Sequence, residues 1–240
     1  MRTAFWIARR YIFSKKSTNA INIISGISVL GITLGSMALI VIMSVFNGFE
    51  DVLRQLISSF KPDVQVTVQK GKTFACDSLM LQRVRTVEGV SFVSATLEEV
   101  ALFEYGQGQT LARIKGVDEA FSQVIDIDTM LESGRFRLYE AQSDVHFAVV
   151  GVGLQMSLGV SADRADAQPI TVYMPKREAK KLSGTSKPFR SRDLQPAGVY
   201  SVQQAEYDNF VLTNLQFVRD LLAYEGAEVS ALEIRLQPNA

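Results

Sequence analysis

Cysteine and histidine, from which many metal and catalytic sites are built, are nearly missing from this sequence. Its 240 residues include one cysteine, Cys76, and one histidine, His146. A single cysteine excludes an intramolecular disulfide, and the two residues together cannot form a Cys/His zinc site. We predict that Cys76 is a small buried residue on a helix and that His146 is a structural residue of a strand, because "SDVHFAVV" alternates. No pattern around His146 resembles a nucleophile elbow, so we predict no catalytic residue, no metal site and no cofactor.

A complete nucleotide-binding motif is also lacking. "GKT" at residues 71–73 resembles the end of a phosphate-binding loop, but that motif needs a glycine where Val66 stands. The acidic pairs Glu98-Glu99 and Asp126/Asp128 are too common a pattern to indicate catalytic carboxylates, and we predict that they lie on solvated faces or turns. We therefore predict that the chain is not an enzyme and that any ATP hydrolysis belongs to another subunit.

Charge is missing from one long stretch near the N-terminus. No charged residue occurs between Ile21 and Phe46. A helix over this run is about 39 Å long at ~1.5 Å per residue, whereas a bilayer's hydrocarbon core is ~30 Å thick. A buried core helix rarely runs this far, and a cleaved signal peptide has a shorter apolar region and a small-residue cleavage site. The pattern predicts an uncleaved transmembrane helix over residues 21–48.

Acidic residues are absent from the first 49 positions, which predicts an orientation. All 25 acidic residues but only 20 of the 25 basic residues follow Phe49, so that part has a formal charge of −5. The positive-inside rule places the N-terminus in the cytoplasm and the residues after about 49 on the other side. Residues 1–20 form a basic, aromatic cytoplasmic segment, which is either an amphipathic helix on the membrane surface or an ordinary flank.

The apolar run passes without a clear break into an amphipathic stretch, "SVFNGFEDVLRQLISSF". Its apolar residues recur at helical spacing as far as Phe60, and Pro62 disfavours helix beyond that point. One helix is therefore predicted from Ile21 to Phe60, with residues 49–61 outside the membrane. Two interpretations remain: a helix that begins the outer domain, or a stiff stalk that transmits motion between the membrane and that domain.

Residues 62–240 alternate between strand and helix patterns, which predicts a mixed α+β domain. Lys176–Arg192 interrupts this rhythm with four lysines, three arginines and a single acid, Glu178. A long basic loop between two strands is either a solvated flexible hairpin or a contact for an acidic partner.

Several of these stretches resemble one family. Residues 21–50, ending in "SVFNGFE", resemble the first membrane span of the lipoprotein-releasing permeases, the LolC/LolE family, in which "SVMNGFE" is usual; Phe46 is the departure. "VVGVGLQMSLGV" and "ITVYMPK" are similar to a glycine-led helix and strand of that family, although Gly151-Val152 replaces its usual Gly-Glu. "AGVYSVQQAEYDNFVLTN" resembles the family's return strand, turn and next strand.

The resemblance implies a membrane permease subunit of an ABC transporter in the inner membrane of a diderm bacterium. Such permeases, which belong to a wider FtsX/MacB-like superfamily, carry a MacB-like periplasmic core domain. They associate with a cytoplasmic ABC ATPase and with a second permease copy or paralogue. They lift lipoproteins from the membrane and pass them to a periplasmic lipoprotein chaperone.

The resemblance also implies two contact sites. One, which we call the acyl wall, would contact the lipoprotein's acyl chains at the outer membrane boundary: Ile42, Val45, Phe46, Phe49 and Leu53. The other, which we call the hook, would bind the chaperone, as it does in LolC-type members: Lys176, Arg177, Lys180, Lys181, Ser183, Gly184, Lys187, Pro188, Phe189 and Arg190. LolE-type members use the same face as a looser pad, and the sequence leaves open which role applies.

Family members continue after the periplasmic domain with three further transmembrane helices, which we expect but which do not occur within residues 1–240. Two other interpretations remain open. One is a MacB/FtsX-type permease that transmits motion for efflux or for the regulation of cell division. The other is a single-span anchored periplasmic binding or sensor protein.

Overall fold

The structure is a computed structural model that describes residues 3, 6, 7, 10, 19–58, 60–162, 167–175, 189–202, 204, 206–224 and 226–237. The chain divides into two compact units, with the boundary between Gln55 and Leu56.

Most of the described part of the first unit belongs to helix α1, Asn19–Ser58, an unbroken helix of 40 residues whose last three residues fall in the second unit. Residues Ile23–Glu50 within it are long and apolar enough to cross a membrane. Hydroxyl groups inside this run donate to the carbonyl oxygen four residues earlier, as Ser28 does to Ile24 at 2.9 Å and Ser36 to Ile32 at 2.8 Å. These bonds satisfy polar groups that a hydrocarbon environment would otherwise leave unpaired.

The predicted continuity of this helix is confirmed, but its ends lie earlier than predicted. The helix passes through Asn47 and Gly48 without a break, because one glycine costs only about 1 kcal/mol. It ends at Ser58, so Phe60 is not its last residue.

The second unit contains twelve described strands and four short helices besides two 3-10 turns, Ile127–Met130 and Tyr207–Asn209. The helices are α2 (Ser78–Arg85), α3 (Phe121–Val124), α4 (Val152–Leu158) and α5 (Leu215–Leu222). The strands are β1 (Val64–Thr67), β2 (Phe74–Ala75), β3 (Val90–Tyr105), β4 (Gly108–Val117), β5 (Leu131–Gly134), β6 (Tyr139–Glu140), β7 (Val145–Gly151), β8 (Ile170–Pro175), β9 (Phe189–Tyr200), β10 (Phe210–Asn214), β11 (Glu228–Val229) and β12 (Ala231–Leu236). The mixture confirms the predicted α+β class.

Ten of these strands form one mixed sheet in the order β1-β12-β3-β4-β10-β7-β9-β5, with β6 beside β7. Strand β8 pairs with both β3 and β9, so the six strands β3-β4-β10-β7-β9-β8 close into a ring. Two hydrophobic clusters form the core of this unit. Phe103, Ile114 and Phe217 belong to the larger one, and Phe60, Phe121 and Tyr200 to the smaller one.

Two local predictions are corrected by the structure. Cys76 is buried as predicted, but it lies before α2 rather than on a helix, because the Asp77 carboxylate caps that helix by accepting the Met80 N–H at 2.8 Å. The strand patterns on either side of Gln107-Gly108 predict a hairpin that turns at these two residues. The β3–β4 hairpin instead turns one residue earlier, at Gly106-Gln107, since Gly106 has the positive φ of +59° that this turn requires. His146 lies on strand β7, as predicted.

Candidate functional site

The predicted acyl wall occupies one face of α1. Ile42, Val45, Phe46 and Phe49 occupy positions i, i+3, i+4 and i+7, which places them on the same side of a helix. Each of these side chains is more than half exposed, from 58% for Phe49 to 68% for Val45. Leu53 continues the spacing on the helix backbone, and its side chain lies outside the described residues. An exposed apolar face of this kind can cover an alkyl chain, and each buried methylene contributes about 0.8 kcal/mol.

The predicted hook falls almost entirely outside the described residues. Positions 176–188 belong to that part of the chain, and only Phe189 and Arg190 are described, as the first residues of β9. Strands β8 and β9 are antiparallel, and Pro175 is paired with Phe189. The undescribed residues therefore connect the ends of two paired strands, as the predicted basic loop requires.

An aromatic cluster surrounds the chain just beyond the end of α1. We call Phe60, Phe121, Tyr200 and Tyr207 the aromatic anchor. Phe60 is only 3% exposed and stacks on Tyr200, with ring centroids 5.5 Å apart and planes 5° apart. Its centroid lies 5.1 Å from that of Tyr207 and 6.5 Å from that of Phe121. Phe60 is thus held inside the second unit's core.

Hydrogen bonds fix the loop that carries Tyr207. The Tyr200 hydroxyl donates to the Tyr207 carbonyl oxygen at 2.8 Å, and the Val202 N–H donates to the Asp208 carboxylate at 2.8 Å. Burial, with the nearby carboxylates, raises the pKa of the Tyr200 hydroxyl well above its ordinary value. A Cβ at Gly151 would lie 2.3 Å from the Asp208 carbonyl oxygen, so only glycine fits there. Together these contacts make the aromatic anchor a fixed attachment point.

A buried group of charges lies beside the aromatic anchor. The Lys115 ammonium is 2.6 Å from the Glu233 carboxylate and 3.0 Å from that of Glu98. It also lies 5.8 Å from the ring centroid of Phe60 and 5.4 Å from that of Phe121. We call Lys115, Glu98 and Glu233 the charge triad.

Electrostatics keep the lysine of the triad charged. Burial alone would lower the pKa of Lys115, but the Glu233 and Glu98 carboxylates outweigh it and raise that pKa above its ordinary value. Glu233 is 1% exposed, and its Oε2 atom has no hydrogen-bond partner among the described residues. The triad therefore carries one unpaired acceptor in a nearly water-free position.

A cleft of about 350 Å³ opens against the triad and the anchor. Phe60, Tyr207 and Phe210 supply its aromatic lining, and all three triad residues also line it. Among the described residues no group of three or more His, Cys, Asp and Glu side chains is arranged to hold a metal ion.

Sequence reasoning missed both the anchor and the triad. Phe60 has the pattern of the last apolar position of a helical stripe, and Lys115 and Glu233 have the pattern of solvent-facing positions on alternating strands. Pro62 was the one local signal that bears on the position of Phe60, because a proline there implies that the helix ends close to that residue.

Comparisons with known proteins agree with the sequence resemblance. Residues 25–240 match the family model described as MacB-like periplasmic core domain. LolE of Haemophilus influenzae, a lipoprotein-releasing system transmembrane protein, is 26% identical over 248 residues, which cover 98% of this chain and 55% of that protein. LolC of Neisseria meningitidis, which bears the same description, is 25% identical over 235 residues, or 96% of this chain and 54% of that protein. The chain thus spans about half the length of the curated relatives it matches, and the resemblance to LolC and LolE is confirmed.

One solved structure aligns with part of this chain. The periplasmic region of MacB from Actinobacillus actinomycetemcomitans aligns with 70% of this chain and 68% of that chain, at 10% identity and a TM-score of 0.45. The match of residues 25–240 to the family model identifies the domain as a MacB-like periplasmic core domain.

Proposed function

The chain belongs to the family of MacB-like periplasmic core domains, and on that premise we propose that it is part of the permease of a lipoprotein-releasing ABC transporter. The observation that carries the proposal is the exposed apolar face of Ile42, Val45, Phe46 and Phe49 at the outer end of the candidate span. The transmembrane LolC and LolE relatives support it by their identity along nearly the whole of this chain.

In this proposal residues 1–240 cross the inner membrane once. Residues 1–20 lie in the cytoplasm, residues 21–48 span the membrane, residues 49–61 form a stalk, and residues 62–240 form the periplasmic domain. A cytoplasmic ABC ATPase hydrolyses ATP, and a second permease copy or paralogue completes the transporter. The chain itself performs no chemistry.

The proposed mechanism couples the membrane to the periplasmic domain through α1. The helix has no break between Asn19 and Ser58, and Phe60 is held in the aromatic anchor immediately afterwards. In this proposal a shift of the span driven by the ATPase is passed along α1 to the domain.

The acyl wall supplies the affinity for the cargo. A lipoprotein leaving the bilayer must bring its acyl chains through a polar boundary, and this costs about 0.8 kcal/mol for each exposed methylene. Ile42, Val45, Phe46 and Phe49, together with Leu53 on the same helix face, would cover those methylenes during transfer. The hook, which includes Lys176, Arg190 and the basic residues between them, would then receive the acceptor chaperone through its acidic surface.

Substituting Phe49→Asp tests the wall. A carboxylate on that face meets apolar chains without a partner, so ATP-dependent release of a lipoprotein from proteoliposomes should fall by at least about tenfold. The complete permease, reconstituted with its ATPase, is assayed by the lipoprotein recovered on the soluble chaperone. ATPase activity is measured in the same vesicles, because it should remain.

Asn47→Asp is the matched control. Two residues along a helix are about 200° apart at ~100° per residue, so this variant places the same charge at a similar depth on nearly the opposite side. It should release lipoproteins at close to the native rate. Equal release by the Phe49→Asp and native permeases would contradict the wall, and no release of lipoproteins by the native transporter would contradict the function.

A further inference from the structure

We propose that the cleft beside the charge triad binds a small zwitterion, a molecule that carries an ammonium group and a carboxylate or phosphate a few bonds apart. The inference is independent of lipoprotein release. Six charged residues line the cleft: Lys61, Glu98, Arg113, Lys115, Glu206 and Glu233. The inference rests on those of their hydrogen-bonding groups that the contacts within the charge triad leave over.

The acceptor side of the site is built around Glu233. Its Oε1 atom is 2.6 Å from the Lys115 ammonium, whereas its Oε2 atom has no hydrogen-bond partner among the described residues. A carboxylate oxygen that is buried to this extent and left unpaired costs free energy, and an N–H donor from a ligand removes that cost. Glu206, which lines the same cleft, is exposed and makes no ion pair within the described part of the chain.

The donor side of the site is built around Arg113 and Lys61. Arg113 reaches Glu98 only at 3.8 Å, and its guanidinium lies 5.7 Å from the Phe210 ring centroid. Most of its donors therefore stay free for an anion. Lys61 is exposed and makes no ion pair among the described residues.

The balance of charge favours a zwitterion over a simple ion. Lys115 already pairs with Glu98 and Glu233. The groups that remain are the acceptors of Glu206 and Glu233 Oε2 and the donors of Arg113 and Lys61, and a lone cation or a lone anion would satisfy only one of these two sets. A ligand with both charges satisfies the Glu233 and Glu206 acceptors and the Arg113 and Lys61 donors together. The cleft volume of about 350 Å³ lies within the ~300–1,000 Å³ range usual for small-molecule sites.

Calorimetric titration of the full chain in detergent tests this inference. The probes are phosphoethanolamine, glycine, ethylamine and inorganic phosphate. At least one of the two zwitterions should bind about tenfold more tightly than ethylamine or phosphate. Tighter binding of phosphoethanolamine points to a lipid headgroup as the natural source, and tighter binding of glycine to a free amino acid.

Substitutions separate this cleft from unspecific binding. Glu206→Gln and Arg113→Gln change exposed side chains and should each weaken zwitterion binding by about tenfold. Glu233→Gln, once circular dichroism has verified that it is folded, should weaken zwitterion binding at least as much. Glu88 is an exposed carboxylate away from the cleft, so Glu88→Gln should leave zwitterion binding unchanged. The inference is overturned if no zwitterion binds saturably, if ethylamine binds as tightly, or if Glu206→Gln and Arg113→Gln have no effect.

Discussion

Lys115 and Glu233 form an ion pair that is almost completely buried. Burial of two charged side chains is energetically unfavourable unless other contacts offset it. Removing two charges from water costs several kcal/mol for each ion. Here the 2.6 Å contact between them and the second carboxylate of Glu98 offset that cost. The faces of Phe60 and Phe121 add a weaker attraction for the ammonium.

Replacing one member of this pair should therefore be strongly destabilising. Lys115→Met leaves Glu233 buried without its cation, and we expect the free energy of unfolding to fall by about 3–5 kcal/mol. The double substitution Lys115→Met with Glu233→Leu should recover most of that loss, because no unpaired charge remains. Guanidinium unfolding of the full chain, followed by circular dichroism, measures both values.

Lys72→Met is the matched comparison for this prediction. Lys72 pairs with Glu99 at 2.8 Å, but its side chain is 69% exposed, and exposed ion pairs contribute only about 0–1 kcal/mol. Equal effects of the Lys72 and Lys115 substitutions would contradict the role assigned to the buried pair.

The same residues mark the limit of what the sequence could predict. In "TLARIKGVD" and "VSALEIRL", Lys115 and Glu233 occupy the polar positions of alternating strands, which normally face solvent. The Lys115 ammonium is covered by the ring of Phe60, which is far from it in the sequence, and by the ring of Phe121, which follows on the short helix α3. Alternation distinguishes the two faces of a strand, but it does not reveal that a second layer covers the polar one.

Single elements were predictable where their causes are local. The length of α1, the hairpin of β3 and β4, and the strand that carries His146 all follow from periodicity and turn residues. The pairing of β3 was not predictable, because its first half joins β12 and its second half joins β8. Those contacts depend on segments distant in the sequence, and so does the ring that they close.

The hook is the element for which deletion is most informative. Replacing residues 176–188 by a short glycine-containing turn should keep the Pro175–Phe189 pairing of β8 and β9. We expect this variant to fold but to lose at least about tenfold in affinity for the lipoprotein chaperone, measured by pull-down and calorimetry.

A charge control distinguishes the hook from general basic character. Arg83→Glu with Arg85→Glu changes two exposed cations on α2 and should leave chaperone binding intact. Unchanged binding after deletion of residues 176–188 would contradict the proposed hook.

At the scale of the whole molecule, the proposed coupling depends on one continuous connection. The chain passes as a single helix from the candidate span to Ser58, and Phe60 then enters the aromatic anchor. A flexible joint between these two points would let the span move without moving the domain. The proposed coupling therefore predicts that lipoprotein release depends more on the stiffness of the connection between Ser58 and Phe60 than on its exact sequence.

The most direct measurement is lipoprotein release by a permease with Gly-Ser-Gly-Ser inserted after Ser58. The same insertion after Gly71 is the control, because Gly71 is exposed, has a φ of +102° and would have no atom within 4 Å of an added Cβ. We predict that the Ser58 insertion keeps ATP hydrolysis but loses at least about tenfold in release, while the Gly71 insertion keeps both. Native release from the Ser58 variant would contradict the coupling between span and domain.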